Sequence, residues 1–201
     1  MTDPTAAEEL TPETFYVFKP SLAGASLEFV LQADRLEVRR GGRTVGLIPY
    51  RDIRKIRLAY RPVTMQNHRF LTEIWSSAGP KVSFASSSPR GIIGHESFDD
   101  HYKMFVAELH RRVSAAGGTV QYLYGSPTLL YWPGVAVFLG LCGGVVVLAV
   151  QAVQNMESKT WLGMSLVAVM MLYFLWQTGV FFWRNRPGDY RPDALPPQAL
   201  P

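Results

Sequence analysis

Between Leu130 and Val153 the chain carries no charged residue, and between Thr160 and Trp183 it again carries none. At about 1.5 Å of rise per residue each block is roughly 35 Å long as a helix, and the hydrocarbon layer of a bilayer is about 30 Å thick. A surface helix of a soluble protein shows one apolar stripe, whereas these blocks are apolar all round, with Gln151, Ser165, Gln177 and Thr178 as the main interruptions. Tyr131 and Trp132 open the first block, Trp161 opens the second and Trp183 closes it, as expected where amphipathic rings meet headgroups. The reading is a two-helix transmembrane hairpin, with spans at residues 130–153 and 160–183 joined by a loop at 154–159. Pro133 is expected in the first turn of its span, where a missing amide hydrogen costs little.

Orientation follows from the cations. Lys159 is the one cation of the connecting loop, while Arg184, Arg186 and Arg191 follow the second span and Arg111 and Arg112 precede the first. The positive-inside rule then puts both termini in the cytoplasm and the loop in the periplasm of a bacterial inner membrane. The opening "MTDPTAAEELTPETF" lacks the basic and apolar regions of a secretory signal and reads as a flexible acidic arm over residues 1–14.

Removing the spans explains a mean hydropathy of only +0.05: a polar globular segment is averaged with a lipid-soluble hairpin, and that segment is long enough for one modest domain. The single cysteine, Cys142, lies inside the first span, which excludes an intrachain disulfide and a thiolate zinc site. Charge is concentrated. Between Arg35 and Arg69 ten Lys and Arg residues face only Glu37 and Asp52, a local +8 in a chain of net charge +4. On a membrane-tethered protein such a stretch points to anionic lipid headgroups or to an acidic protein partner rather than to nucleic acid.

Period-two alternation shows how these cations are displayed. "SLEFVLQ" (26–32) and "RLEVRR" (35–40) alternate, Gly41 and Gly42 make a two-residue hairpin turn, and "RTVGLI" (43–48) resumes the strand. Arg39, Arg40 and Arg43 then occupy a hairpin tip. "IRLAYR" places Ile56, Leu58 and Tyr60 on one face and Lys55, Arg57 and Arg61 on the other, with Pro62 ending the run. These six cations are the candidate lipid- or partner-binding residues. "RFLTEIW" (69–75) and "KVSFAS" (81–86) flank the turn signal "SSAGP", for five or six antiparallel strands. One amphipathic helix, 97–116, closes the domain: Ser97 is its N-cap, Asp99 and Asp100 suit its positive end, Phe98, Tyr102, Phe105, Val106, Leu109 and Val113 form its apolar stripe, and Gly117 and Gly118 stop it.

Strands closed by one C-terminal helix, with the stretch "LQADRLEVRRGGRTVGLIPYRDIRKIRL", resemble the bacterial pleckstrin-homology-like domains over roughly Phe15 to Gly117. With "YWPG" at the first span and the ending "NRPGDYRPDALPPQALP", the whole chain resembles a family of small uncharacterised two-span membrane proteins of alphaproteobacteria. The resemblance implies architecture and compartment only. The expected fold class is therefore α+β plus membrane helices: a flexible arm at 1–14, a pleckstrin-homology-like antiparallel barrel at 15–118, a linker at 119–129, the hairpin, and a proline-rich cytoplasmic tail at 184–201. Pro187, Pro192, Pro196, Pro197 and Pro201 favour extended, solvated chain in that tail, or a partner motif.

Signals for chemistry are sparse. "HESFDDH" is not the H-E-x-x-H metal helix, and His101 and His110 fall on opposite helix faces at about 100° per residue; His68 and His95 complete the histidines. Phosphate cradles and nucleophile elbows are absent, so neither metal nor cofactor is expected and Asp99 and Asp100 read as a helix start. Within the first span Ala136, Gly140 and Gly144 recur every four residues, a small-residue face that permits close helix packing against either the second span or a second copy. No Asp, Glu, Lys, Arg or His lies within either span, which argues against an ion path. The sequence thus points to a non-catalytic scaffold binding through its basic face, with an accessory subunit of a larger membrane complex as the alternative and an enzyme third.

Overall fold

The computed structural model describes residues 14–20, 25–61, 69–77, 79–90, 94–97, 99–154 and 161–201. The arm through Glu13, Pro62, His68, Phe98 and most of the loop between the apolar helices lie outside the described residues. Two compact units emerge, one of residues 1–124 with 188–201 and the other of residues 125–187.

The first unit opens with a four-stranded antiparallel sheet in the order β1 (Phe15–Phe18), β2 (Leu27–Leu31), β3 (Arg35–Arg40), β4 (Arg43–Pro49). Gly41 and Gly42 have φ of 56° and 77°, the positive values that a two-residue turn matched to strand twist requires and that glycine adopts without strain. Val38 pairs with Gly46 while Arg39 pairs with Thr44, which leaves Val45 as a bulge. A 3-10 turn at Tyr50–Asp52 carries the chain into β5 (Ile53–Tyr60), which pairs with β6 (Phe70–Ser76), itself paired with β7 (Val82–Ala85). A separate hairpin of β8 (Ser87–Arg90) and β9 (Gly94–Ser97) precedes α1 (Asp99–Ala115). Ser97 therefore ends a strand, opposite Ser87, instead of capping the helix, which starts with its two aspartates.

The apolar faces read for β5 and α1 are buried, while in β3 Glu37, on the polar side of the alternation, is buried as well. Ile56 and Leu58 are fully buried, and so are Tyr102, Phe105, Val106, Leu109 and Val113 of α1. The core is aromatic at its centre: Phe84 has ring neighbours Phe29, Phe105, Tyr16 and Tyr102 at centroid distances of 4.9 to 5.9 Å. Thr72 and Tyr102 share a hydrogen bond of 2.7 Å, and Tyr16 donates to the Ala85 carbonyl at 2.6 Å, so both phenols enter the core with partners.

Two segments read as linker and tail are built into this unit. β10 (Gln121–Tyr124) lies parallel to β5, and β11 (Gly188–Asp189) pairs antiparallel with β10, for a second sheet ordered β11-β10-β5-β6-β7. The strand before the apolar helices and the strand after them are thus neighbours, and the sheet is mixed rather than purely antiparallel. The tail continues through a bridge of Arg191 with Ala194 to a 3-10 turn at Pro197–Ala199 that packs on β5, with Pro196 and Ala199 buried. Its prolines favour extended chain as expected, but that chain lies on protein.

His110 fastens the tail. It is 1% exposed on α1 and stacks among Tyr122 of β10 and Tyr190. Nδ1 lies 2.6 Å from the Val106 carbonyl and Nε2 lies 2.7 Å from the Tyr190 hydroxyl. A carbonyl can only accept, so Nδ1 carries the proton and Tyr190 donates to Nε2. Burial without a countercharge lowers the His110 pKa to about 4.

The second unit is a helical hairpin of α2 (Thr128–Gln154) and α3 (Trp161–Arg184). Both are long and apolar enough to cross a membrane, and their candidate spans, Thr128–Gln151 and Val167–Arg184, are unburied by protein. Because α2 starts at Thr128, Pro133 sits in its second turn rather than its first. Contacts between the helices run through Gly134, Phe138, Gly179 and Phe182: a Cβ on Gly134 would lie 3.1 Å from the Phe182 ring, and the Phe138 and Phe182 rings are 5.4 Å apart. The expected small-residue face does not meet α3. Ala136, Gly140 and Gly144 are exposed, and a Cβ on either glycine would meet nothing within 4 Å; the fit inside the hairpin is glycine against phenylalanine. Gly134→Leu is therefore expected to force Phe182 aside and destabilise the detergent-solubilised hairpin by about 1–3 kcal/mol, with Gly140→Leu nearly neutral. Thermal unfolding of the two variants checks this, and equal effects would refute the packing described.

Candidate basic surface

The six cations singled out in the sequence fall into four settings. Arg39 donates two hydrogen bonds of 2.8 Å to Glu37, which also accepts from Thr44 and Gln32. Glu37 is only 4% exposed, and the Arg39 guanidinium, helped by Thr44 and Gln32 and opposed by desolvation, holds its carboxyl below the usual range. Arg39 thus serves a local network and presents little net charge. Arg40 and Arg43 pair across the exposed turn.

Lys55 and Arg57 occupy the outward face of β5, and the register places Trp75 opposite Lys55 and Glu73 opposite Arg57. Lys55 Nζ lies 4.6 Å and Arg57 Cζ 5.5 Å from the Trp75 ring centroid, and Lys81 Nζ reaches the same ring at 5.6 Å while donating to Glu73 at 2.7 Å. One indole therefore gathers three cations against a single carboxylate. Each cation–ring contact contributes about 0.5–1 kcal/mol at such exposure, and the ring stabilises like charges that would otherwise spread apart. Arg57 Nε is buried without a hydrogen-bond partner. Arg61 lies beyond the far end of β5, where its amide donates to the Arg69 carbonyl. Desolvation, reinforced by Arg61, lowers the Arg69 pKa.

Trp75 and Lys81 were not singled out in the sequence as parts of a site. Their role depends on register across two hairpins, which period-two alternation alone does not fix. The structure also brings Arg40 and Lys81 to one cleft of about 530 Å³ between the β3–β4 and β6–β7 turns, with Leu27, Val38, Leu47 and Val82 in its walls. A shallower groove of about 800 Å³ between the end of α1 and the β2–β3 turn is lined by Arg35, Arg51, Arg111 and Arg112. There Asp34 pairs with Arg35, and Glu108 with Arg111 and Arg112. Among the described residues no group of three or more His, Cys, Asp and Glu could hold a metal ion. Comparison with protein-family models, curated proteins and solved structures found no match.

Proposed function

We propose that the chain is a two-pass protein of the bacterial inner membrane, with both termini cytoplasmic, whose first unit is a pleckstrin-homology-like domain acting by binding an anionic lipid surface rather than by catalysis. The order of a four-stranded sheet, three further antiparallel strands and, after a two-stranded hairpin, a helix supports the domain assignment. One observation carries the binding reading: Lys55, Arg57 and Lys81 gather around Trp75 in a net positive, aromatic patch in which Glu73 pairs with Lys81. Cations beside an anionic bilayer contribute about 1 kcal/mol each within a Debye length, and an indole favours the headgroup region.

The full chain in nanodiscs of neutral lipid tests this. Flotation with anionic vesicles should recover it, neutral vesicles should not, and added salt should release it. Joint substitution of Lys55, Arg57 and Lys81 by Ser should weaken capture at least about tenfold, with Arg39→Ser nearly silent for binding. Equal recovery on neutral and anionic vesicles would sink the reading. A second reading, an accessory subunit held through its spans, is favoured by the Ala136, Gly140 and Gly144 face that α3 leaves uncovered; co-purification in mild detergent with a stoichiometric membrane partner would support it.

A further inference from the structure

We infer that the outer edge of β4 is a docking site for an extended acidic segment of a partner protein, which adds to the four-stranded sheet as a further strand. β4 ends that sheet, and among the described residues β3 is its only strand neighbour, so alternate main-chain N–H and C=O groups of residues 43–49 face outward. An edge strand left to solvent is ordinarily blunted by charge. β4 has Arg43 at its start, a bulge at Val45 and Pro49 at its end, yet between its ends it shows Val45 and Leu47, 58% and 52% exposed, the two large apolar side chains most open to solvent among the described residues of the first unit. Beside them the cleft of about 530 Å³ has apolar walls in Leu27 and Val38 and cations in Arg40 and Lys81, and Arg43 begins the strand.

The chemistry of the occupant follows. Main-chain pairing recognises any extended peptide. Val45 and Leu47 select one whose facing residues are apolar, and Arg40 and Arg43 at the turn, beside a Lys81 already paired with Glu73 and with Asp52 as the opposing carboxylate of the cleft, leave a net positive charge that selects one carrying carboxylates. The bulge at Val45 sharpens the twist near the turn and leaves Gly46 to Pro49 in regular register with Val38 to Arg35, a short template that fits a few residues rather than a long sheet. This site is separate from the Trp75 patch except for Lys81, and it does not require that the patch bind lipid.

The test uses the full chain in nanodiscs of neutral lipid and a fluorescent peptide about seven residues long that alternates glutamate with valine, read by anisotropy. The lysine counterpart and a copy N-methylated at alternate amides serve as controls. The acidic peptide is expected to bind. Val45→Ser with Leu47→Ser, and Arg40→Ser with Arg43→Ser, should each weaken it about tenfold or more, and N-methylation should do the same by removing ladder donors. Vesicle flotation of the same variants separates the two readings, because the Val45 and Leu47 pair should leave anionic-vesicle capture unchanged. Equal binding of the lysine or N-methylated peptide overturns the inference while leaving the lipid reading intact. So does loss of vesicle capture without loss of peptide binding in the Val45 and Leu47 variant, which would assign that edge to the lipid.

Discussion

Phe84→Ala is expected to destabilise the first unit by about 3–5 kcal/mol, the range for truncating a fully buried phenylalanine. Phe84 is 0% exposed on β7 and its ring contacts Phe29 of β2, Tyr16 of β1, and Tyr102 and Phe105 of α1, so its loss opens a cavity where both sheets and the helix converge. The walls cannot collapse freely. Tyr16 is held to the Ala85 carbonyl and Tyr102 to Thr72, and moving either ring breaks a buried hydrogen bond. The full chain in detergent should show a melting transition lower by roughly 10 °C or more, while Val45→Ala, at an exposed position, should stay within about 0.5 kcal/mol. A Phe84→Ala loss below about 1 kcal/mol would mean that the aromatic centre is not packed as described.

Elements whose cause is local were legible. The two long apolar helices are set by unbroken apolar length, enough to cross a membrane, and β2 to β7 by alternation between turn signals. β1 and the β8–β9 hairpin escaped because four-residue strands are too short to show a period, and β10, β11 and the tail escaped because they depend on partners far away in sequence. "QYLY" at Gln121–Tyr124 is too short to show a period and adjoins a span, and it becomes a strand because β5 offers it an edge. Gly188 and Asp189 become a strand only because β10 is already there; the tail's prolines permit this extended course, but nothing in "PDALPPQALP" announces that Ala199 will be buried. His110 shows the same limit: beside Leu109 on the apolar stripe it reads as a polar interruption, and its partner Tyr190 is eighty residues away. In the basic region the sequence located the cations but not their pairing. Arg39 spends its charge on Glu37, a residue two positions earlier, while Lys81 joins the patch through a hairpin register. The small-residue face of the first apolar block illustrates a different ambiguity, because a period-four pattern identifies a helix face and not the helix that covers it.

The stability of the first unit should fall as pH drops from about 6.5 towards about 4, with His110 contributing about 3 kcal/mol in total. The sign follows from proton counts. The buried imidazole titrates near 4 in the folded protein and near 6.5 when exposed, so between these values the unfolded chain binds a proton that the folded chain refuses. Stability therefore rises with pH across the window and is complete above it. The described groups in contact with it do not titrate there: burial raises the pKa of both Tyr122 and Tyr190, and Val106 contributes only its carbonyl. The carboxyls lowered by arginine partners, Glu37 and Glu108, lose their contribution only below about 4.5. Protonation at Nε2 also removes the acceptor for the Tyr190 hydroxyl, so β11 and the tail should loosen first, read as faster amide exchange at Tyr190, whose amide donates to the Tyr122 carbonyl. Denaturant unfolding of the full chain at pH 7, 6 and 5 measures the slope, and His110→Phe should flatten it while retaining the stack between Tyr122 and Tyr190. A native slope of zero over that range, or an unchanged slope in His110→Phe, would show that this histidine does not hold the tail as a neutral, buried base.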